Sequence, residues 1–180
     1  MTDKAVLTPF DDLLKDRHDL EPALPQAAPL PAVGIGPLAV RIGEWRLMFA
    51  MDEVTEIIPL PRITRVSGMQ PWLLGIANLR GIVIAVIDLQ AFLGDKPASF
   101  MAGSHLLVVR SGEWHYGLVV DEIIGMRHFG PEKQQNDLAT VAGGLRPYIA
   151  RMFVSEQIQW LVFDVDRLLN DPRFLRATSR

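Results

Sequence analysis

Cysteine is absent from the 180 residues, which excludes disulfides, thiolate metal sites and cysteine nucleophiles together. Net positive charge is absent too: the formal charge is −3 and the pI about 5.8. A nucleic-acid binder needs a basic face to displace counterions from phosphates, so no nucleic-acid partner is expected. Long apolar runs are missing. The longest, Ile82 to Ile87, has the length of a strand and falls far short of the ~18 residues a membrane helix needs, so direct membrane insertion is not expected. Met1-Thr2-Asp3-Lys4 lacks the basic-then-apolar order of a secretory signal, which points to a cytoplasmic protein. What is present is a globular balance, 49% apolar and 22% charged, in a chain long enough to remove roughly 70% of its unfolded surface from water.

Residues 1–36 differ from the rest. Thr8-Pro9 followed by Asp11 and Asp12 is a helix start, with a hydroxyl cap, an early proline and acids at the positive dipole end. Phe10, Leu13, Leu14 and Leu20 share one face of that expected helix. Pro22, Pro25, Pro29, Pro31 and Pro37 then enforce an extended linker. A β domain is expected over 37–171 and a tail over 172–180. Within the domain, hairpins are expected around Gly43-Glu44 and Ser111-Gly112-Glu113, with further strands at Ile57–Leu60, Ile82–Ile87, Ile123–Phe129 and Ile158–Phe163. Short helices are expected at Pro71–Leu79, Asp88–Leu93 and Asp164–Asn170. Residues 130–147 read as a long polar, glycine-rich loop.

The most informative feature is a repeat. Gly43-Glu44-Trp45 recurs as Gly112-Glu113-Trp114, and Asp52-Glu53-Val54 recurs as Asp121-Glu122-Ile123, both 69 residues on. Ile87-Asp88-Leu89 and Phe163-Asp164-Val165 close the two units at an offset of 76, so an insertion in the second copy falls within the glycine-rich loop. Two small β units of about seventy residues each follow. Closure of each sheet on itself removes exposed edges, so paired small barrels with a binding groove between them are expected.

Gly75-Ile76-Ala77-Asn78-Leu79-Arg80-Gly81, running into Ile82–Leu89, resembles the signature of CheW-like domains, the adaptors of bacterial chemosensory arrays. The resemblance extends from Leu38 to Leu169 and includes Val54-x-Glu56-Ile57, Ile63-Thr64-Arg65 and Gly117–Asp121. It implies a mainly β fold of two SH3-like five-stranded β-barrels with short helices, no catalytic activity and no cofactor. It implies as partners the cytoplasmic tip of a methyl-accepting chemoreceptor and the regulatory domain of a CheA-type histidine kinase, hence association with membrane-bound receptor arrays. The site residues it implies are Met51, Val54, Glu56, Ile57, Asn78, Arg80 and Gly81. Departures from the family pattern are Ala85 for proline, Gln90 for arginine, Arg151 for glycine and Gly68 for proline. The proline-rich extension and Gln70-Pro71-Trp72 are similar to adaptors of type IV pilus (twitching) systems; a flagellar chemotaxis coupling protein is the alternative.

Other chemistry is weaker. His105 and His115 could be cross-strand neighbours, but no third ligand has metal-site spacing. Repetition of the acid pairs Asp52-Glu53 and Asp121-Glu122 at equivalent positions argues for a turn role over acid–base catalysis. Gly34-Ile35-Gly36 follows a linker and precedes a strand, the wrong order for dinucleotide binding. From a different class, a small-ligand-binding β-barrel sensor would need an enclosed apolar cavity with a few polar groups.

Overall fold

The computed structural model describes residues 36–94, 97, 103–111 and 114–177. The expected N-terminal helix, most of the proline-rich linker and the Gly112-Glu113 turn lie outside them. Strands β1 (Leu38–Ile42) and β2 (Trp45–Phe49) form the expected hairpin, and Gly43 turns it at φ +57°. Strand β3 (Val54–Pro59) follows. The segment expected as a helix at Pro71–Leu79 is instead β4 (Leu73–Leu79), paired antiparallel with β5 (Ile82–Ile87). Helix α1 (Leu89–Phe92) is capped by Asp88, whose carboxylate accepts from Ala91 N–H at 3.1 Å.

The second unit repeats this order. Strands β6 (His105–Ser111) and β7 (Trp114–Val120) pair, and β8 (Glu122–Met126) follows. His105 stands opposite Val120 and His115 opposite Arg110, so the two histidines are not cross-strand neighbours. The expected loop contains 3₁₀ turns at Pro131–Lys133 and Arg146–Tyr148 and a two-residue strand, β9 (Gln134–Gln135). It also buries Val141 and Leu145, and Tyr148 directly after it is buried as well. Strand β10 (Ile149–Ser155), with no counterpart in the sequence reading, pairs with β11 (Ile158–Phe163). Helix α2 (Val165–Leu169) is capped by Asp164, which accepts from Arg167 N–H at 3.0 Å. Helix α3 (Pro172–Leu175) comes next, and its Phe174 is fully buried.

The strands form two sheets, ordered β8-β1-β2-β11-β10-β9 and β3-β6-β7-β5-β4. The repeat governs both, with an exchange. Each sheet takes its hairpin from one unit and its other principal strands from the other unit. The parallel pair Leu161↔Leu47 in the first sheet sits at the repeat-equivalent of Ala85↔Tyr116 in the second. Bulges coincide as well. Thr55 and Ile124 are skipped in pairing with β6 and β1, and Leu74 and Ala150 in pairing with β5 and β11. The duplicated units are therefore interlocked, and neither barrel is built from one unit alone.

Alternate residues of these strands enter different cores. Leu38, Val40 and Ile42 of β1 join Leu107 and Val109 of β6, and Leu118 and Val120 of β7, in the large core shared by both sheets. The space between the barrels at this level is packed apolar interior. Ile58, Leu79, Ile84 and Val108 fill the inside of the five-stranded sheet. Met48 and Trp160, with the partly buried Phe129, Phe153 and Val162 packed beside them, line the inside of the six-stranded one.

Candidate functional site

Arg80 and Gly81 are the two central residues of the β4–β5 hairpin, both with positive φ (51° and 87°). Such a two-residue turn matches the right-handed twist of the strands it joins. Gly81 N–H donates to the Asn78 side-chain oxygen at 2.7 Å, so Asn78 fixes the turn. Arg80 then projects with its side chain 67% exposed, and its Nη2 donates to Glu56 Oε1 at 2.8 Å. Glu56 belongs to β3, at the opposite edge of the sheet from β4. The ion pair therefore spans the seam where the sheet curls on itself. Beside it, Ile82 is half exposed, at 51%.

The remaining expected site residues lie elsewhere. Val54 and Ile57 point into the shared core and are buried; they position Glu56 from below and offer no apolar rim. Met51 lies in the β2–β3 connection and lines a cleft of about 490 Å³ at the mouth of the six-stranded sheet. The structure thus brings Glu56, Asn78, Arg80 and Gly81 together and places Met51 in a second locality. The exposure of Ile82 is hidden in the sequence because the residue belongs to a continuous apolar run; its place directly after the Arg80-Gly81 turn is the available signal.

The repeated acids divide their work. Asp121 accepts from Gly43 N–H at 2.6 Å and pairs with Arg41 Nη1 at 3.3 Å, clamping the β1–β2 turn. Glu122 pairs with Arg41 Nε at 3.1 Å. Glu53 accepts from Ala50 N–H at 3.3 Å. Burial pushes its carboxyl above the usual range, while hydrogen bonds from the Ala50 and Val165 backbone oppose that rise. These are turn and tie roles, and none assembles a nucleophile with a base.

Two interlocked β-sheets curled around separate interiors, with an exposed arginine turn on one of them, define a β scaffold. Residues 37–173 match the CheW-like domain family. The chain is 35% identical to protein PilI of Pseudomonas aeruginosa over 142 residues, covering 79% of this chain and 78% of PilI. It is 29% identical to protein FrzA of Myxococcus xanthus over 48% of this chain and 54% of FrzA. In fold it matches the scaffolding protein TtCheW of Thermoanaerobacter tengcongensis with a TM-score of 0.62, covering 72% of this chain and 88% of that protein at 18% identity. The chain belongs to the CheW-like family of scaffold and adaptor proteins.

Proposed function

We propose that this chain is a non-enzymatic adaptor that couples the cytoplasmic tip of a methyl-accepting chemoreceptor to the regulatory domain of a CheA-type histidine kinase. The array it serves controls type IV pilus twitching motility, at the cytoplasmic face of the membrane. The observation that carries this reading is the similarity to PilI across four-fifths of the chain, joined to the Asn78–Gly81 turn that resembles the adaptor signature. The Arg80–Glu56 pair, with Ile82 beside it, supplies an exposed charge next to an exposed apolar side chain, the composition of a protein-binding patch. Signal transfer follows if the patch has different affinity for different receptor states, since equal affinity shifts no equilibrium.

The test is a pull-down of receptor cytoplasmic fragment and kinase with Arg80→Glu. Loss of the ternary complex at an unchanged melting temperature is the expected outcome; undiminished assembly sinks the assignment of this turn. A small-ligand sensor is less favoured because the five-stranded interior is filled by side chains and the six-stranded one opens as a cleft instead of enclosing a cavity.

A further inference from the structure

The cleft beside Met51 is where the chain enters the described fold. Gly36 and Pro37 form part of its wall, and Arg127 N–H donates to the Pro37 carbonyl at 3.0 Å. Its floor is apolar, made by Met48, Met51, Phe129, Phe153 and Val162. Its rim carries Arg127, His128 and Arg151, opposed by Asp52. Arg151 is exposed and occupies the repeat-equivalent of Gly75. The second unit therefore places a cation here where the first unit needs no side chain.

The residues that precede Gly36 have the complementary pattern. Phe10, Leu13, Leu14 and Leu20 fall at helical spacing. Between and after them stand Asp11, Asp12, Asp16, Asp19 and Glu21, against Lys15 and Arg17. We propose that residues 10–21 dock in this cleft of the same chain, with the phenylalanine and leucines on the methionine–phenylalanine floor and the carboxylates toward Arg127 and Arg151. Residues 22–35 form the tether. Prolines hold such a tether extended at about 3.1 Å per residue, a reach of roughly 40 Å. Because it ends on the cleft wall, that reach is ample for the segment to fold back. Tethering also holds the segment at an effective concentration on the order of millimolar, so a weak intrinsic affinity suffices. A partner that uses this cleft must displace the chain's own segment.

The absence of cysteine makes the test clean. Thr8→Cys in the full-length chain accepts one nitroxide label and keeps every acid of the segment. The methionine methyl groups, including Met48 and Met51, are then observed by NMR with the label oxidised and reduced. Docking in cis predicts line broadening at Met51 that is independent of protein concentration and lost in Leu13→Asp/Leu14→Asp. Arg151→Glu weakens the broadening, and Asp11→Arg/Asp12→Arg added to it restores the effect. An unaffected Met51 signal overturns the proposal, as does broadening that survives Leu13→Asp/Leu14→Asp. Broadening that fades on dilution overturns it in favour of docking onto a second copy.

Discussion

Arg80 reaches from the β4–β5 turn to Glu56 in β3, with Nη2 and Oε1 2.8 Å apart, and so joins two strands that lie at opposite edges of their sheet. Two-thirds of the arginine side chain remains in solvent, where an ion pair is screened and contributes about 0–1 kcal/mol. The pair is thus better placed to orient a recognition surface than to hold the fold. Replacement distinguishes these roles because Arg80 also occupies the left-handed region. Arg80→Gly should leave thermal stability within about 1 kcal/mol of the parent, since glycine suits φ 51°. Arg80→Val should lose about 1–2 kcal/mol, because a β-branched residue is strained there. Urea unfolding of the two variants checks both. Equal stability would show that the turn does not hold its conformation in solution.

The equivalent β10–β11 turn makes a complementary case. Glu156 and Gln157 adopt φ 53° and 63° without a glycine, in the geometry that favours Asn-Gly. Glu156→Asn/Gln157→Gly should raise stability by about 1 kcal/mol. A lowered urea midpoint would mean that the present side chains hold the turn by contacts stronger than its strain.

Gly75 has the opposite sensitivity. Its φ is +144°, and a Cβ would lie 2.1 Å from the Thr64 carbonyl oxygen, where Thr64 and Ile76 exchange backbone hydrogen bonds of 2.8 and 2.9 Å. Gly75→Ala should cost about 2–3 kcal/mol by forcing that bridge apart. Gly68, with φ +77° and nothing near its missing Cβ, should lose only about 1 kcal/mol in Gly68→Ala. Comparable losses at both sites, measured by thermal unfolding, would refute this ranking.

Phe174 is fully buried and packs with Trp72, Phe92 and Tyr116 at centroid distances of 5.2, 5.7 and 5.5 Å. Phe174→Ala should cost about 3–5 kcal/mol, as for other large aromatic truncations in a core. A change below 1 kcal/mol in the denaturant midpoint would show that α3 is not docked in solution.

The sequence revealed what depends on local chemistry. The helix starts at Asp88 and Asp164, the Gly43 turn and the 69-residue offset were legible because turns and caps tolerate few residue types. Strands β4 and β10 were not legible, for one shared reason. The bulges at Leu74 and Ala150 insert a residue into the two-residue alternation, so Leu73 and Ile76, like Ile149 and Met152, stand three apart as they would on a helix. Exchange of hairpins between units was equally hidden, because a repeat offset says which segments are equivalent and not which copy each one pairs with. Of the site, the Asn78–Gly81 turn was visible through its residues. The burial of Val54 and Ile57 and the separation of Met51 depend on long-range closure that no local pattern encodes.

Tyr148 ties this long-range closure to pH. Its hydroxyl donates to Asp171, and Arg173 Nη2 donates to it at 2.5 Å. Burial, followed by the Asp171 carboxylate that accepts its proton, pushes the phenol up to about 12. An unfolded tyrosine loses its proton near pH 10, so in the interval above that value the unfolded state releases a proton that the folded state retains. The stabilisation is fully present below about pH 10 and is lost as pH rises through about 12. Tyr116, whose phenol is also raised by burial, acts in the same direction with a smaller shift. Asp171 works at the acid end. Burial would raise its carboxyl, but hydrogen bonds from Arg173 and Tyr148 outweigh this and hold it below the ordinary range. Its contribution is present above the usual aspartate range and declines as pH falls through the depressed value. Urea midpoints measured from pH 8 to 12 should therefore decline in the parent chain. They should decline less in Tyr148→Phe, which starts lower for want of its hydrogen bonds, while Tyr116→Phe keeps most of the slope. An identical alkaline slope in Tyr148→Phe would show that the phenol titrates in the folded chain as it does in the unfolded one.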